Sequence, residues 1–328
     1  MPSKPTLVSS FAGCGGSSLG YQEAGFDVRL AIENDPQAAA AYRRNFPDTT
    51  IFDGDIAKLS GAEALKLANV ATGDLDVLDG SPPCQGFSTA GHREVMDSRN
   101  RLFEEYVRLL EALAPKAFIM ENVTGLRKGK MKLIFAEITQ ALKACGYQVA
   151  CRELNAAWYG VPQDRRRLIW VGIRRDIMIT PSHPEPTTRI PVSVNRAFGN
   201  AIQTQVIAHD DGRHPEKRKS GHQSGTSLRA TRKPRVQVIA GSFAFPQNAR
   251  QLGRSLNAPV QVLAAIRPPS INDGVETRPI TIDEAKILQG FPATFQLDAQ
   301  DYRLIGNSVC PPMAQAVGTH VLKLLQDG

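Results

Sequence analysis

The stretch that decides the fold is TLVSSFAGCGGSSLGYQEAGFDVRLAI, which runs from Thr6 to Ile32. Thr6–Ser10 and Val28–Ile32 are short apolar runs that predict buried strands, and Ser18–Ala24 between them predicts a helix. Phe11-Ala-Gly-Cys-Gly-Gly16 follows the first strand directly, and its glycines let the backbone turn tightly and approach a ligand. This order is typical of a nucleotide-binding α/β sheet.

The same alternation continues beyond this unit. Further strands are predicted at Asp76–Asp79, Ala117–Met120 and Leu168–Ile173. Helices are predicted at Pro36–Asn45, Leu102–Ala114, Lys132–Cys145, Thr281–Gln289 and Pro312–Leu325. Strands separated by helices predict a mostly parallel sheet covered by helices on both faces. From Pro181 to Pro269 the chain is rich in Pro, Ser, Thr, Arg and Gln, which predicts a second, smaller domain of short strands and loops.

Composition excludes several classes of protein. The chain has 328 residues, a hydrophobic fraction of 42% and a net charge of +7, which together predict a globular, basic protein of two domains. The five cysteines are scattered without a Cys-x-x-Cys pair, so we expect neither a disulfide framework nor a bound metal. No apolar run is long enough to cross a bilayer and the N-terminus lacks a signal-peptide core, so we expect a soluble, cytoplasmic protein.

The glycine-rich segment and two acids suggest a cofactor site. A dinucleotide fingerprint of the form G-x-G-x-x-G would need glycine at position 18, where Ser18 stands, so a nicotinamide cofactor is disfavoured. Glu33 ends the second strand, where such sheets place a carboxylate for ribose hydroxyls. Asp55 follows a plausible third strand and is a candidate acceptor for an adenine amino group. The alternative is a tight turn with two surface acids, and we favour an adenosine-type cofactor.

Three further segments carry candidate catalytic groups. Ser81-Pro-Pro-Cys84 sits just after a buried strand, in a stiff loop where a cysteine can act as a nucleophile rather than as a small core residue. Glu121 ends the next strand and can donate a proton or hydrogen bond to a heterocycle, or else simply cap a helix. Arg165 and Arg167 face the same side if their segment is extended, and can clamp an oxygen of a substrate or be edge charges.

One segment of the variable region is strongly basic. Its cationic residues, which face a single acid, are Arg213, Lys217, Arg218, Lys219, Arg229, Arg232, Lys233 and Arg235. A charge run taken alone favours a solvated loop. It becomes a candidate surface for DNA phosphates and base edges only if the rest of the chain points to nucleic acid.

Taken together, these segments resemble the DNA (cytosine-5) methyltransferase family of the bacterial restriction-modification type. FAGCGGSSLGYQEAGF resembles its cofactor loop, SPPCQGFS its nucleophile loop, ENV its glutamate motif and QDRRR its Gln-x-Arg-x-Arg motif. RPITIDEAKILQGFP (278–292) and GNSVCPPMA (306–314) resemble its last two motifs, although Cys310 departs from the pattern. The resemblance covers nearly the whole chain except the divergent stretch from Pro184 to Thr277, where the family keeps its target-recognition domain.

The resemblance implies a Rossmann-like S-adenosyl-L-methionine-dependent methyltransferase sheet with a smaller, mostly β and loop target-recognition domain. By resemblance, Cys84 adds to carbon 6 of a flipped cytosine in double-stranded DNA, and carbon 5 takes the methyl group. Glu121 would stabilise the addition and Arg165, with Arg167, would hold the base. The implied cofactor contacts are Phe11, Gly13, Gly15, Gly16, Glu33, Asp55, Ile56, Asn307 and Ser308. The implied DNA contacts are Gln85, Ser88 and the basic residues of 213–235.

These expectations divide the chain into four segments. Residues 1–183 would form the catalytic and cofactor-binding domain, 184–277 the target-recognition domain, 278–305 a hinge with the late helix motif, and 306–328 a segment returning to the catalytic domain. We expect a nucleoid-associated monomer; a cognate restriction endonuclease acting separately is compatible with this type.

Three other readings stay open at this point. An exocyclic-amino methyltransferase would carry an aromatic residue where Cys84 stands. An RNA methyltransferase of the family would carry a Cys-Phe-Thr signature. An inert DNA-binding homologue would lack catalytic residues.

Overall fold

A computed structural model describes residues 3–83, 101–129, 131–198, 205–207, 270–272 and 277–327. Its main feature is a seven-stranded sheet. The strands are β1 (Thr6–Ser10), β2 (Asp27–Glu33), β3 (Thr50–Asp53), β4 (Val77–Gly80), β5 (Ala117–Val123), β6 (Tyr147–Asn155) and β7 (Arg166–Arg174). They lie side by side in the order β3-β2-β1-β4-β5-β7-β6.

The sheet is mostly parallel, as the sequence predicts. Strands β3, β2, β1, β4 and β5 pair in parallel, whereas β7 is antiparallel to both β5 and β6. The strand order reverses between β1 and β4, because the chain first proceeds outward through β2 and β3 and then returns. Ligands of such sheets bind beyond the carboxyl ends of the strands at this switch point.

Helices cover both faces of the sheet. The helices of the first half of the chain are α1 (Gly16–Glu23), α2 (Pro36–Asn45), α3 (Gly61–Ala68), α4 (Arg101–Leu113) and α5 (Met131–Ala144). The later helices are α6 (Val194–Ala197), α7 (Ile282–Gln289), α8 (Tyr302–Asn307) and α9 (Pro311–Gln326). The predicted helices are confirmed within two residues at each end. The helices α3, α6 and α8 and the strand β6 were not predicted, and α6 lies in the segment predicted to hold short strands and loops. Strand β6 lies at the sheet edge and is only half-buried, so its apolar signal is weak.

The core has one apolar layer on each face of the sheet. Successive residues of β1 point to opposite faces, so that Val8 belongs to the apolar cluster that includes Leu109 of α4 and Leu142 of α5, while Leu7 belongs to the cluster that includes Val317 of α9. Helices α1 and α9 also contact each other along their length. This double burial places the carboxyl ends of the central strands at one end of a rigid scaffold.

A third apolar cluster joins the late helices α7 and α8 to α2. Tyr42 of α2 packs there with Leu288 of α7 and Leu304 of α8. A small antiparallel sheet is formed by β8 (Gln205–Ile207), β9 (Ser270–Asn272) and β10 (Thr277–Pro279). Of these strands, β8 lies within the segment 181–269 predicted to hold short strands, whereas β9 and β10 follow that segment.

Candidate active site at the carboxyl edge of the sheet

The glycine-rich turn after β1 has the backbone that its sequence predicts. Phe11, Gly13 and Gly15 have φ values of 54°, 59° and 100°, which lie in the left-handed region. A Cβ at Gly15 would overlap the ring of Phe46, so this position requires glycine for its contacts as well as for its φ. A Cβ at Gly13 would meet nothing within 4 Å, so the space beside it is open in the part of the chain that the structure describes.

Glu33 closes this turn from the neighbouring strand. Its Oε2 accepts a hydrogen bond from the backbone nitrogen of Gly13 at 2.7 Å, and its Oε1 accepts from those of Asn34 and Asp35 at 2.9 and 2.8 Å. The side chain is 9% exposed. Because a carboxylate oxygen has two lone-pair sites, this carboxylate keeps capacity for further donors.

Asp55 lies beside Glu33, after the adjacent strand. The backbone nitrogen of Gly54 donates to the Glu33 carbonyl at 2.9 Å, and so the two acids follow each other along the edge of the sheet. The Asp55 carboxylate accepts from the backbone nitrogen of Ala57 at 3.0 Å and begins a short 3-10 turn, in which Ile56 is buried.

The segment between α8 and α9 approaches the start of α1. A Cβ on Gly16 would lie 2.9 Å from Cβ of Ser308 and would overlap the Val309 carbonyl, so glycine permits this contact. Ser308 is buried and Asn307 is exposed. The predicted cofactor residues from both ends of the chain therefore meet at one place.

The catalytic candidates lie on the next strands of the sheet. Glu121 of β5 forms an ion pair with Arg167 of β7, with Oε1 and Nε 2.7 Å apart and both side chains less than 20% exposed. Strand β4, whose chain continues toward Cys84, pairs with β5 through Gly80 and Met120. The ion pair is thus one residue beyond the end of β4.

Arg165 has a different environment from Arg167. It is buried, and its Nη2 donates to the carbonyl of Ser308 at 3.0 Å. Burial, and then the neighbouring charge of Arg167, lower the pKa of Arg165 to about 10. Its Nε has no partner among the described residues. The intervening Arg166 is exposed and pairs with Glu153, so alternate residues do face opposite sides as the sequence predicts.

Two amide side chains at this edge, Asn122 and Gln289, make hydrogen bonds that were not predicted from the sequence. The side chain of Asn122, which follows Glu121, donates through Nδ2 to the carbonyl of Pro82 at 2.9 Å and so holds the segment that leads to Cys84. Gln289 donates to the Ser308 carbonyl at 2.7 Å and accepts from Gln163 at 2.7 Å. Only the residue types, an amide after the glutamate and another at the end of a late helix, could have suggested these roles.

Several predicted site residues lie outside the described residues. They are Cys84, Gln85, Ser88, Arg213, Lys217, Arg218, Lys219, Arg229, Arg232, Lys233 and Arg235.

The described ranges contain neither a membrane-spanning helix nor a metal-binding cluster. No helix there is long and apolar enough to cross a membrane, and no group of three or more His, Cys, Asp or Glu side chains could hold a metal ion.

Fold and site together define a class of enzyme. A mostly parallel sheet has a glycine turn and an adjacent carboxylate at its switch point, with a glutamate–arginine pair two strands away on the same edge. This arrangement is typical of an α/β enzyme that binds a nucleoside-type ligand next to a reactive centre.

Comparison with known proteins identifies the family. Residues 6–323 match the model of the C-5 cytosine-specific DNA methylase family, and the chain belongs to it. The resemblance drawn from the sequence motifs is confirmed, and so is the assignment of the chain to the DNA (cytosine-5) methyltransferases.

Individual relatives agree with this assignment. The type II methyltransferase M.XorII of Xanthomonas oryzae pv. oryzae is 35% identical over 98% of this chain and 86% of its own length. The type II methyltransferase M1.HphI of Haemophilus parahaemolyticus is 33% identical over 97% of this chain and 87% of its own. A crystal structure described as that of a DNA modification methyltransferase encoded within an E. coli prophage has a TM-score of 0.71, with 26% identity over 98% of this chain and 99% of that one.

Proposed function

We propose that this enzyme methylates carbon 5 of cytosine in one short sequence of double-stranded DNA, with S-adenosyl-L-methionine as methyl donor and Cys84 as nucleophile. The observation that carries the proposal is the order of groups along the carboxyl edge. The glycine turn with Glu33 lies on one side of β4 and the Glu121–Arg167 pair on the other. Strand β4 itself continues into Ser81-Pro-Pro-Cys84.

The residues at the glycine turn fit the proposed cofactor. The open space beside Gly13 and the spare lone pairs of the buried Glu33 carboxylate suit an adenosine with its ribose hydroxyls, and Asp55 supplies a second acceptor on the next strand. When bound, S-adenosyl-L-methionine supplies an electrophilic methyl group. The further residues that we assign to its site are Phe11, Gly15, Gly16, Ile56, Asn307 and Ser308.

The nucleophile is needed because carbon 5 of an intact cytosine ring is a poor nucleophile. Addition of the Cys84 thiolate to carbon 6 interrupts the aromatic ring and makes carbon 5 reactive. The base must first leave the helical stack, which hides both faces of its ring. The contact from Asn122 to the Pro82 carbonyl supports this role, since it fixes the backbone two residues before Cys84.

Glu121 and the arginines would act on the polar edge of the base. The ion pair with Arg167 orients the Glu121 carboxyl group, which we assign to ring nitrogen 3 and the exocyclic amino group of cytosine. Arg165 is held through Nη2 by Ser308, and its Nε has no partner in the described part of the chain. We assign this N–H to the carbonyl oxygen of the base, as an unpartnered buried donor calls for an acceptor.

DNA recognition is assigned to the divergent stretch. We propose that 184–277 is the target-recognition domain between the catalytic part (1–183) and the later segments 278–305 and 306–328. Its basic residues at 213–235, with Gln85 and Ser88, would contact DNA. We further propose that the enzyme acts as a cytoplasmic monomer, with any cognate endonuclease acting separately.

Two experiments test this function in sequence. Bisulfite sequencing of plasmid from a host without cytosine methylation should find protected cytosines within one recurring short sequence when the protein is expressed. DNA containing 5-fluorocytosine in that sequence should then form a covalent complex that survives denaturation. Fluorine replaces the carbon-5 hydrogen, so there is no proton to lose and the bond between Cys84 and carbon 6 is not broken by elimination. The matched Cys84→Ala variant should form none. Uniform conversion by soluble, folded protein, or trapping that persists in the variant, would overturn the proposal.

A further inference from the structure

A buried carboxylate joins the cofactor turn to the strand that precedes the nucleophile. Asp79 of β4 is 2% exposed and accepts three side-chain hydrogen bonds. Its Oδ2 accepts from Ser9 Oγ at 3.0 Å and from Ser17 Oγ at 2.9 Å, and its Oδ1 accepts from Tyr21 Oη at 2.9 Å. Its backbone carbonyl accepts from Ser10 Oγ at 2.9 Å.

These donors come from the elements on either side of the cofactor turn. Ser9 is opposite Asp79 on β1, just before the turn, whereas Ser17 and Tyr21 lie on α1, which begins where the turn ends. The carboxylate therefore braces both ends of the turn. On the other side, Asp79 is five residues before Cys84 in the sequence.

The donors in the described part of the chain are neutral hydroxyls rather than cations, so the carboxylate has little compensation for its burial. Burial raises the pKa of Asp79 to about 6, opposed by the three hydroxyl donors and assisted by Glu121. The other titratable groups packed around it are Tyr21, Tyr42 and Tyr106, and the charge of Asp79 helps to raise the pKa of each. The three tyrosines remain neutral, so Asp79 is the member of this cluster that changes charge near neutral pH.

We propose that Asp79 is a positioning residue whose ionised carboxylate holds the glycine turn in the conformation that binds S-adenosyl-L-methionine. This inference rests on the proposed function, because it assumes that cofactor at that turn. Only the ionised form accepts from all three hydroxyls with both oxygens; a protonated carboxyl must donate through one oxygen, which removes an acceptor. Loss of the proton from Asp79 therefore favours the binding conformation of the glycine turn.

The test is the affinity for S-adenosyl-L-methionine, measured by isothermal titration calorimetry from pH 5 to pH 8 without DNA. The wild-type affinity should fall as the pH drops through the pKa of Asp79. Asp79→Asn should bind about tenfold more weakly at pH 7.5, as expected for loss of a hydrogen bond to a charged group, and should show no change around pH 6. A hydroxyl variant is the matched control: Tyr21→Phe removes one donor that favours the ionised form, so the midpoint should move to higher pH.

The outcomes distinguish failure of the proposed function from failure of the role assigned to Asp79. Wild-type protein that does not bind the cofactor at any pH would overturn the proposed function. Wild-type affinity that is independent of pH, or an Asp79→Asn variant that keeps the wild-type pH profile, would overturn the role of Asp79 alone. If Asp79→Asn fails to fold, Tyr21→Phe and Ser17→Ala carry the test, and an unchanged midpoint in both would refute the proposal.

Discussion

Replacing Asp79 with asparagine should stabilise the folded protein at neutral pH, although it should lower the affinity for S-adenosyl-L-methionine. Raising the pKa of this carboxyl from its ordinary value of 3.8 to about 6 means that its ionised form is disfavoured in the folded state. The difference corresponds to about 3 kcal/mol at pH 7.5. Asparagine has the same shape and no charge, so most of the free energy lost in burying the charge should be recovered even though its NH2 group cannot accept from the hydroxyls.

The sign of the pH dependence follows from the same displacement. Because the folded-state pKa of Asp79 is raised, the folded protein binds more protons than the unfolded chain between about pH 4 and pH 6. This group therefore contributes stability at low pH that is lost as the pH rises through about 6. The advantage of Asp79→Asn should shrink from about 3 kcal/mol at pH 7.5 to about half of that at pH 5.

The assay is urea unfolding followed by circular dichroism at both pH values, with the free energy of unfolding extrapolated to water. Asp76→Asn is the matched control, since Asp76 is a carboxylate three residues earlier that accepts from Lys116 Nζ at 2.7 Å. Its loss should lower the free energy of unfolding by up to about 1 kcal/mol. If Asp79→Asn were less stable than wild type at pH 7.5, or if its advantage did not shrink at pH 5, the argument from burial would be wrong.

Three other substitutions test the site. Gly16→Ala places a methyl group against the Val309 carbonyl, so we expect a loss of about 1–3 kcal/mol in the free energy of unfolding together with weaker cofactor binding. Urea unfolding and calorimetry measure these two quantities, and unchanged values would contradict the contact. Glu121→Gln removes the proposed acid, and methyl transfer should slow by about 10²–10⁴-fold with little effect on cofactor affinity, as single-turnover assays with tritiated donor would reveal. Asn122→Ala releases the Pro82 carbonyl, so kcat should fall more than the KM for DNA rises; a change in KM alone would oppose a role in holding the loop.

Local features of the fold were predictable from the sequence because neighbouring residues cause them. The glycine turn follows from the left-handed backbone of Gly13 and Gly15, and the helix α5 ends as predicted before Gly146, whose φ is 92°. The helix α7 begins at Ile282, one residue after its predicted start, and its N-cap Thr281 forms a reciprocal capping pair with Glu284. Each of these signals acts over four residues or fewer.

The partners of the charged site residues were not predictable in the same way. Alternation along an extended segment places Arg165 and Arg167 on one side, and it does not say that the first contacts Ser308 while the second pairs with Glu121. These contacts join residues separated by 143 and 46 positions, so they depend on strand order and register rather than on local pattern. The antiparallel insertion of β7 beside β5 creates the contact between Glu121 and Arg167.

Asp79 shows most clearly the difference between what the sequence determines and what the tertiary structure decides. The sequence by itself determined the class of protein, through ordered motifs whose glycines, prolines and strand-end acids have meaning within a few residues. Only the tertiary structure decided that Asp79 is buried among Ser9, Ser17 and Tyr21, because parallel pairing of β1 with β4 and the packing of α1 bring together groups that lie 58 to 70 positions apart. Its raised pKa follows from that enclosure, since desolvation depends on everything packed around a group and not on its neighbours in the chain.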